Sequence, residues 1–360
     1  MSLSFTARAD AQKAEPPART VPAGTWTAVA GGIPGSSSSV WDLAVFGTDL
    51  IAAGLFSNAG GVPVSNIAAW NGTSWSALGS GVNGPVYALT IHDGRLIVVG
   101  GFSEAGGMAA TRVAAWDGSA WSSLGTGVAA TPYAAASYQG RLFVGTSEGL
   151  PPFGVQVAHL NEWLPANGFW FQRFTFLSEA GNDLVSIQAV DVVGDRLFIG
   201  GEYLRIRVYD GTNLSLAGAV QNVRAVDQFG GNVVAGAFDP LLSSWDGVQG
   251  WTSLNPAWDG CGVVADLRVR NGLLLAAGSF AGPCGPSGVI AWDGANGSQL
   301  GSGMNGSVLA LAELNGVLFA GGYFTTADGQ PALRIAQWND APVAVEQKSI
   351  GGVKALFRSR

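Results

Sequence analysis

Between Val82 and Gly127 the apolar and polar positions fall into four short runs. Val86 to Ile91 alternates and is rich in β-formers. Leu96 to Val99 is continuously apolar and ends at Gly100-Gly101, the pattern of a strand buried on both faces. Val113 to Trp116 and Trp121 to Leu124 are the third and fourth strands. His92-Asp93-Gly94-Arg95 is a turn, Phe102 to Arg112 a loop of small residues, and Asp117-Gly118 a hairpin signal. That dipeptide suits a type I′ turn, which needs positive φ at both central residues.

The second strand recurs as Leu50 to Gly54, Leu96 to Gly100, Leu142 to Gly145, Leu197 to Gly200, Val233 to Gly236, Leu274 to Gly278 and Leu318 to Gly321. The third-strand Trp, followed by Asp or Asn, recurs at Trp70, Trp116, Trp245, Trp292 and Trp338; Tyr209 is a softer copy and Leu160-Asn161 the most degenerate. Seven copies of about 46 residues, each of four strands, predict an all-β, seven-bladed β-propeller. Thr25 to Val29 copies the fourth strand of Ser74 to Leu78, so the chain enters the repeat at strand four and leaves after strand three, at Leu333 to Trp338. The expectation is that Thr25 to Ala30 completes the blade of Ser307 to Trp338 and closes the ring, removing exposed sheet edges. Residues 1–20 read as a flexible leader, 21–340 as the propeller and 341–360 as a tail. Glu162 to Ser186 departs from the repeat and reads as an insertion between strands three and four of the third blade.

The motif NG-x-V-x-AL…G-x-L-x-VGG-x-F…W-[DN]-G-x-x-W-x-x-LG resembles kelch-like propeller repeats, with the double Gly and late Trp present and the intervening kelch Tyr missing from most copies. It resembles more closely the repeats of surface and secreted propellers, including Rax2-like ones. The resemblance spans roughly residues 25–340 and implies the fold, together with a place outside the cell or on its envelope. Such folds host unrelated activities, so it implies no single function.

Composition narrows the chemistry. The net charge is −7, and the lysines all lie outside Val21 to Asp340, so there is no basic stripe for nucleic acid. No apolar run reaches the length of a membrane span. With two His in the chain, His92 and His159, a copper site of the galactose-oxidase kind or a Ser–His–Asp triad lacks material. The Asp of Asp117, Asp210, Asp246 and Asp293 reads as turn chemistry, because one carboxylate per turn cannot assemble the six to eight oxygens of a calcium site. No cofactor or metal is expected. Cys261 precedes strand one of its blade and Cys284 follows strand two, which places both at one open end of a hairpin. A disulfide is geometrically feasible there and fits an oxidising compartment; the alternative is two thiols.

Two surfaces are candidates for binding. In V-x-A-L the x position lies near the start of the innermost strand, at the channel mouth, and holds Trp41, Tyr87, Tyr133, Gln188, Arg224, Ala265 and Leu309 in turn. Three aromatics followed by two polar groups suit a sugar or a peptide; the alternative is simple packing between blades. The run Phe169 to Phe176 is the second. Alternation sets Phe169, Phe171 and Arg173 on one side, facing a partner or buried beneath the insertion, and Trp170, Phe174 and Phe176 on the other. The expected function is a non-catalytic, monomeric binding or scaffold module, secreted or on the cell surface, that recognises a glycan or a protein through its loop face. The alternative is a carbohydrate-active lyase or hydrolase built from Glu104, Asp239, Asp259, Asp266, Arg205 and Arg224, which are scattered over several blades.

Overall fold

The computed structural model describes residues 21–148, 157–177, 185–238, 241–248, 250–254, 262–280 and 287–341. Cys261 and Cys284, and with them the expected disulfide, lie outside the described residues, as do most of the leader and tail. Seven four-stranded antiparallel sheets form the blades. Blade 1 is Ser39–Phe46, Asp49–Leu55, Ile67–Trp70 and Trp75–Ala77; blade 2 is Val86–His92, Arg95–Gly100, Val113–Trp116 and Trp121–Ser123. Blades 3 to 6 follow, their inner strands at Thr131–Tyr138, Ala189–Val193, Ala225–Phe229 and Gly262–Arg270. Blade 7 takes Val308–Leu314, Val317–Gly322 and Ile335–Asp340 from the end of the chain and Gly24–Ala28 from its beginning. Ring closure is therefore made by the first strand, with Trp26 opposite Trp338. Seven apolar clusters fill the spaces between neighbouring blades, such as that joining Ile51, Ala69 and Leu78 of blade 1 to Leu96, Trp116 and Trp121 of blade 2. Burying both faces of every sheet explains why the second strands read as unbroken apolar runs.

The V-x-A-L motif has a structural cause that plain alternation hides. In Val86-Tyr87-Ala88-Leu89, Val86, Ala88 and Leu89 are buried and Tyr87 is not, so the outlying residue is followed by two buried ones in place of an alternation. The pairing slips between Val86 and Ala88, and equally at Val40/Asp42, Pro132/Ala134, Val264/Asp266 and Val308/Ala310. The x residue is thus a β-bulge in five blades, turned out of the ladder toward the channel. The glycine that ends strand two answers the bulge. A Cβ on Gly100 would stand 2.1 Å from the carbonyl oxygen of Pro85, and one on Gly322 would stand 2.0 Å from that of Ser307. No side chain fits so close a backbone approach.

Tryptophans tie blade to blade. Five blades open strand four with an indole that lies 5.3 to 6.0 Å from the Trp of strand three: Trp26 on Trp338, Trp75 on Trp70, Trp121 on Trp116, Trp170 on Trp163 and Trp251 on Trp245. Each donates its Nε1–H to a carbonyl at the end of the preceding blade: Leu300, Ala30, Leu78, Leu124 and Ala217 respectively.

Expectations for blades 2 and 3 are corrected here. The type I′ turn is not at Asp117-Gly118 but at the inner hairpin, where Asp93 and Gly94 have φ of 48° and 70°. Asp117 instead starts a four-residue loop between Trp116 and Trp121, its carboxylate accepting the amides of Ser119 and Ala120 at 2.8 Å. Those bonds hold its acid below the usual carboxylate range. Asn71, Asp210 and Asp293 close the same loop in their blades. In blade 3 the repeat's tryptophan is Trp163 and not Leu160, because the third strand runs on to Leu164 before a short turn. The run Phe169–Leu177 is then the fourth strand itself, with Phe169 and Phe171 exposed on it and residues 165–168 only the turn that leads into it. A bulge at Leu160/Asn161 breaks its alternation at Arg173. Finally, His92 is the buried last residue of its strand, with Nδ1 2.9 Å from Ser137 Oγ of blade 3, and burial lowers its pKa.

Arg334 joins blade 7 to blade 1. It is buried, sits at φ 63°, and donates to the carbonyls of Tyr323 and Phe324 in its own blade and of Gly35 and Ser38 ahead of blade 1. Arg334→Ala takes the guanidinium from the carbonyls of Tyr323 and Ser38 and retains the left-handed backbone, while those of Phe324 and Gly35 keep the amides of Arg334 and Ser38. Since one buried acceptor left unsatisfied costs about 1–3 kcal/mol, the expected loss is about 2 kcal/mol or more, read as a lower midpoint in urea unfolding.

Candidate functional site at the channel mouth

The bulges bring Trp41, Tyr87, Tyr133, Ala265 and Leu309 to one end of the central channel, and Gln188 and Arg224 join them from just ahead of the inner strands of blades 4 and 5. With Tyr323 they line a mouth of about 390 Å³. The three aromatics stack in series. Trp41 and Tyr87 lie 5.2 Å apart at 25°, and Tyr87 and Tyr133 lie 5.2 Å apart at 34°. Tyr87 is sandwiched between its neighbours, so it offers a ligand its edge and hydroxyl but no ring face. Burial, with Tyr133 beside it, raises its pKa. At the far end of the series Tyr133 is 37% exposed. Tyr323 is 51% exposed, and its hydroxyl accepts the Trp41 indole N–H at 2.8 Å. Across the mouth, Gln188 donates to Ser186 Oγ at 3.0 Å while its Oε1 is buried without a donor. Arg224 pairs with Glu202 at 3.6 Å, both half in solvent.

Below the mouth the channel narrows to a space of about 240 Å³ walled by Asp42, Asp191 and Asp266 among others. Each of these carboxylates accepts a backbone amide of the next blade: Leu89 for Asp42 at 2.7 Å, Val226 for Asp191 at 2.9 Å and Leu311 for Asp266 at 2.6 Å. Asp227 does the same with Val269. Desolvation in the channel wall outweighs those bonds and pushes Asp42 up to about 7, Asp191 to about 8 and Asp266 to about 6.

The remaining candidates are dispersed. Glu104 is exposed in the short strand Glu104–Ala105 of blade 2, which pairs with Met108–Ala109, and Asp239 and Asp259 lie outside the described residues. Among the described residues no three His, Cys, Asp or Glu side chains are grouped to hold a metal ion, and no helix is long and apolar enough to cross a membrane. Phe169 and Phe171 are each 44% exposed on the outer strand of blade 3. Arg173 does not share their face. It turns toward blade 4, where it donates to Tyr209 OH at 3.2 Å and faces Glu162 at 3.9 Å.

Sequence reasoning missed Tyr323 and the aspartates other than Asp266. Tyr323 follows the double glycine of blade 7, where blade 2 has Gly101, and that exchange was the available signal. The aspartates stand inside otherwise apolar inner strands, as in Asp42-Leu43-Ala44-Val45.

No protein-family model matches the chain, and none of the curated proteins matches it. Solved structures of similar fold include YCF48 from Cyanidioschyzon merolae (12% identical over 88% of this chain and 98% of that one, TM-score 0.55). The WD40 β-propeller domain of Doa1 is 14% identical over 88% and 97%, with a TM-score of 0.53. A chain of a mitotic checkpoint complex is 14% identical over 94% and 99%, with a TM-score of 0.53. At these identities the likeness is one of fold.

Proposed function

We propose that the chain is a non-catalytic binding module whose channel mouth takes a segment of a protein partner. The observation that carries this reading is the arrangement of the mouth. Two exposed rings, Tyr133 and Tyr323, share the mouth with polar groups that still have bonding capacity, the buried Oε1 of Gln188 and the half-exposed guanidinium of Arg224. A flat or apolar side chain packs on Tyr133 while Gln188 and Arg224 take the segment's backbone and charge. The stacking of Trp41 on Tyr87 favours a peptide over an extended glycan, because successive sugar rings need successive free faces and Tyr87 has none. The channel carboxylates support binding over catalysis, since each is engaged in clamping the next blade. A chain of a multiprotein complex among the similar folds is consistent with a scaffold role. The resemblance of the repeat to Rax2-like propellers supports a position outside the cell or on its surface.

The test is a peptide array and a glycan array probed in parallel with the full chain. Peptide binding lost by at least tenfold in Tyr133→Ala, and in Gln188→Ala, is expected. Glycan binding with the same dependence would move the reading to carbohydrate recognition, and peptide binding indifferent to both variants would remove the mouth from consideration.

A further inference from the structure

Independently of the mouth, the ring has a gap where its own repeat calls for a tryptophan. Five blades place an indole at the head of strand four; blade 4 has Leu214 opposite Tyr209, and blade 6 has Gly297 opposite Trp292. Blade 4 makes good the loss from within. Leu214 and Phe174 pack into the cluster between blades 3 and 4, Phe174 lies 5.4 Å from the Tyr209 ring, and Arg141 and Arg173 donate to the Tyr209 hydroxyl. Among the described residues, blade 6 has only the ring of Phe229 against Trp292. A cavity of about 400 Å³ opens between it and blade 5, lined by Phe229, Val234, Ser244, Leu254 and Trp292, and by turn residues at the end of the ring opposite the mouth.

The walls of this cavity are the repeat equivalents of residues in the apolar cluster that takes in Trp121 between blades 1 and 2. Phe229 pairs with Asn232 as Phe46 pairs with Asp49, and Val234 pairs with Ser244 as Ile51 pairs with Ala69. Leu254 follows strand four of blade 5 as Leu78 follows strand four of blade 1, and the Leu78 carbonyl is what accepts the Trp121 N–H, at 2.7 Å. In place of a strand-four indole, Trp292 has Phe229 at 5.3 Å as its ring neighbour. Ligand pockets begin at about 300 Å³, so the space is of a size for a small ligand.

We propose that the cavity between blades 5 and 6 is a binding site for an indole group, which takes the place that Trp121 and its four counterparts occupy in other blades. The ligand's ring lies against Trp292, and its N–H reaches the Leu254 carbonyl. The chemistry is shared by free indole compounds and by the tryptophan side chain of a partner protein.

The full chain is titrated with indole and, separately, with N-acetyl-tryptophanamide. Binding is followed by calorimetry and by the indole N–H resonance of Trp292, assigned by its loss in Trp292→Phe. A saturable shift of that resonance, with that of Trp121 unmoved, is expected. Affinity should fall at least tenfold in Gly297→Trp, which supplies the missing ring from the chain. Should Gly297→Trp not fold, Ser244→Phe narrows the cavity from the blade 5 wall and carries the same expectation. Binding of free indole alone assigns a small molecule; binding of the amide as well assigns a protein side chain. No saturable shift at Trp292, or affinity unchanged in the folded variants, would overturn the proposal.

Discussion

Replacing Trp26 with alanine opens the ring. The side chain is 1% exposed, stands opposite Trp338 at 5.3 Å, donates its indole N–H to Leu300 and sits on a strand whose amide is held by Asp328 at 2.7 Å. Truncation of a buried large aromatic costs about 3–5 kcal/mol on packing grounds. Trp121→Ala in blade 2 removes an equivalent ring and bond, but its strand remains tied to the chain on both sides. Gly24–Ala28 precedes every other strand of the propeller, and its pairing with Ile335–Asp340 is what joins the two ends of the propeller. The expected result is therefore a difference between two similar truncations. Trp121→Ala lowers the unfolding midpoint with little change of shape. Trp26→Ala lowers it at least as far and enlarges the radius of gyration in solution scattering. A Trp26→Ala chain as stable and as compact as Thr25→Ala, a change at an exposed position of the same strand, would show that the closing strand contributes little.

Stability is expected to fall as the solution is made more alkaline from about pH 4 to about pH 8. The acids of Asp42, Asp191 and Asp266 titrate in the folded chain at about 7, 8 and 6, against about 3.9 in an unfolded one. Below the unfolded value all three are protonated in both states, and their contribution is fully present. Above it, unfolding releases protons that the folded state still holds, so each rise in pH favours the unfolded chain until the folded groups have themselves ionised. One unit of pKa is about 1.4 kcal/mol, and three groups displaced upward give a decline on the order of several kcal/mol. Urea unfolding at pH 5, 7 and 9 measures it. Asp191→Asn keeps an acceptor for the Val226 amide and cannot ionise, so its profile should flatten most toward pH 8. A wild-type profile flat from 5 to 9, or an unaltered slope in Asp191→Asn, would count against this account.

How much of this was legible depended on whether a residue obeyed the repeat. Ring closure was legible because Thr25 to Val29 copies a fourth strand without the three that should precede it. The mouth residues were legible as positions, since counting V-x-A-L places Trp41, Tyr87 and Tyr133 in register. Their mutual stacking was not, because it depends on how five bulges aim five side chains, and a bulge leaves no mark in a period-two pattern beyond one apolar residue too many. Blade 3 misled for a related reason. Its third strand carries extra residues before Trp163, so the tryptophan falls out of step and Leu160 takes its place in the count. The channel aspartates defied a general expectation that carboxylates avoid buried strands. They are tolerated because each finds an amide in the next blade, a partner some 35 to 47 positions away that no local pattern reveals.

The first strand has a consequence for the order of events during synthesis. Gly24–Ala28 is among the earliest parts of the propeller to emerge, yet its partner, Ile335–Asp340, is the last. Blades 1 to 6 are each built from consecutive segments and can form as they appear. Blade 7 must wait, and for that interval the growing chain carries an unpaired strand with a large aromatic side chain at one end and an open blade edge at the other. A contact spanning about three hundred residues is slow to find, and an exposed edge is a template for foreign strands. Whatever slows the emergence of Val308 to Asp340 therefore prolongs the period in which two nascent copies can exchange first strands.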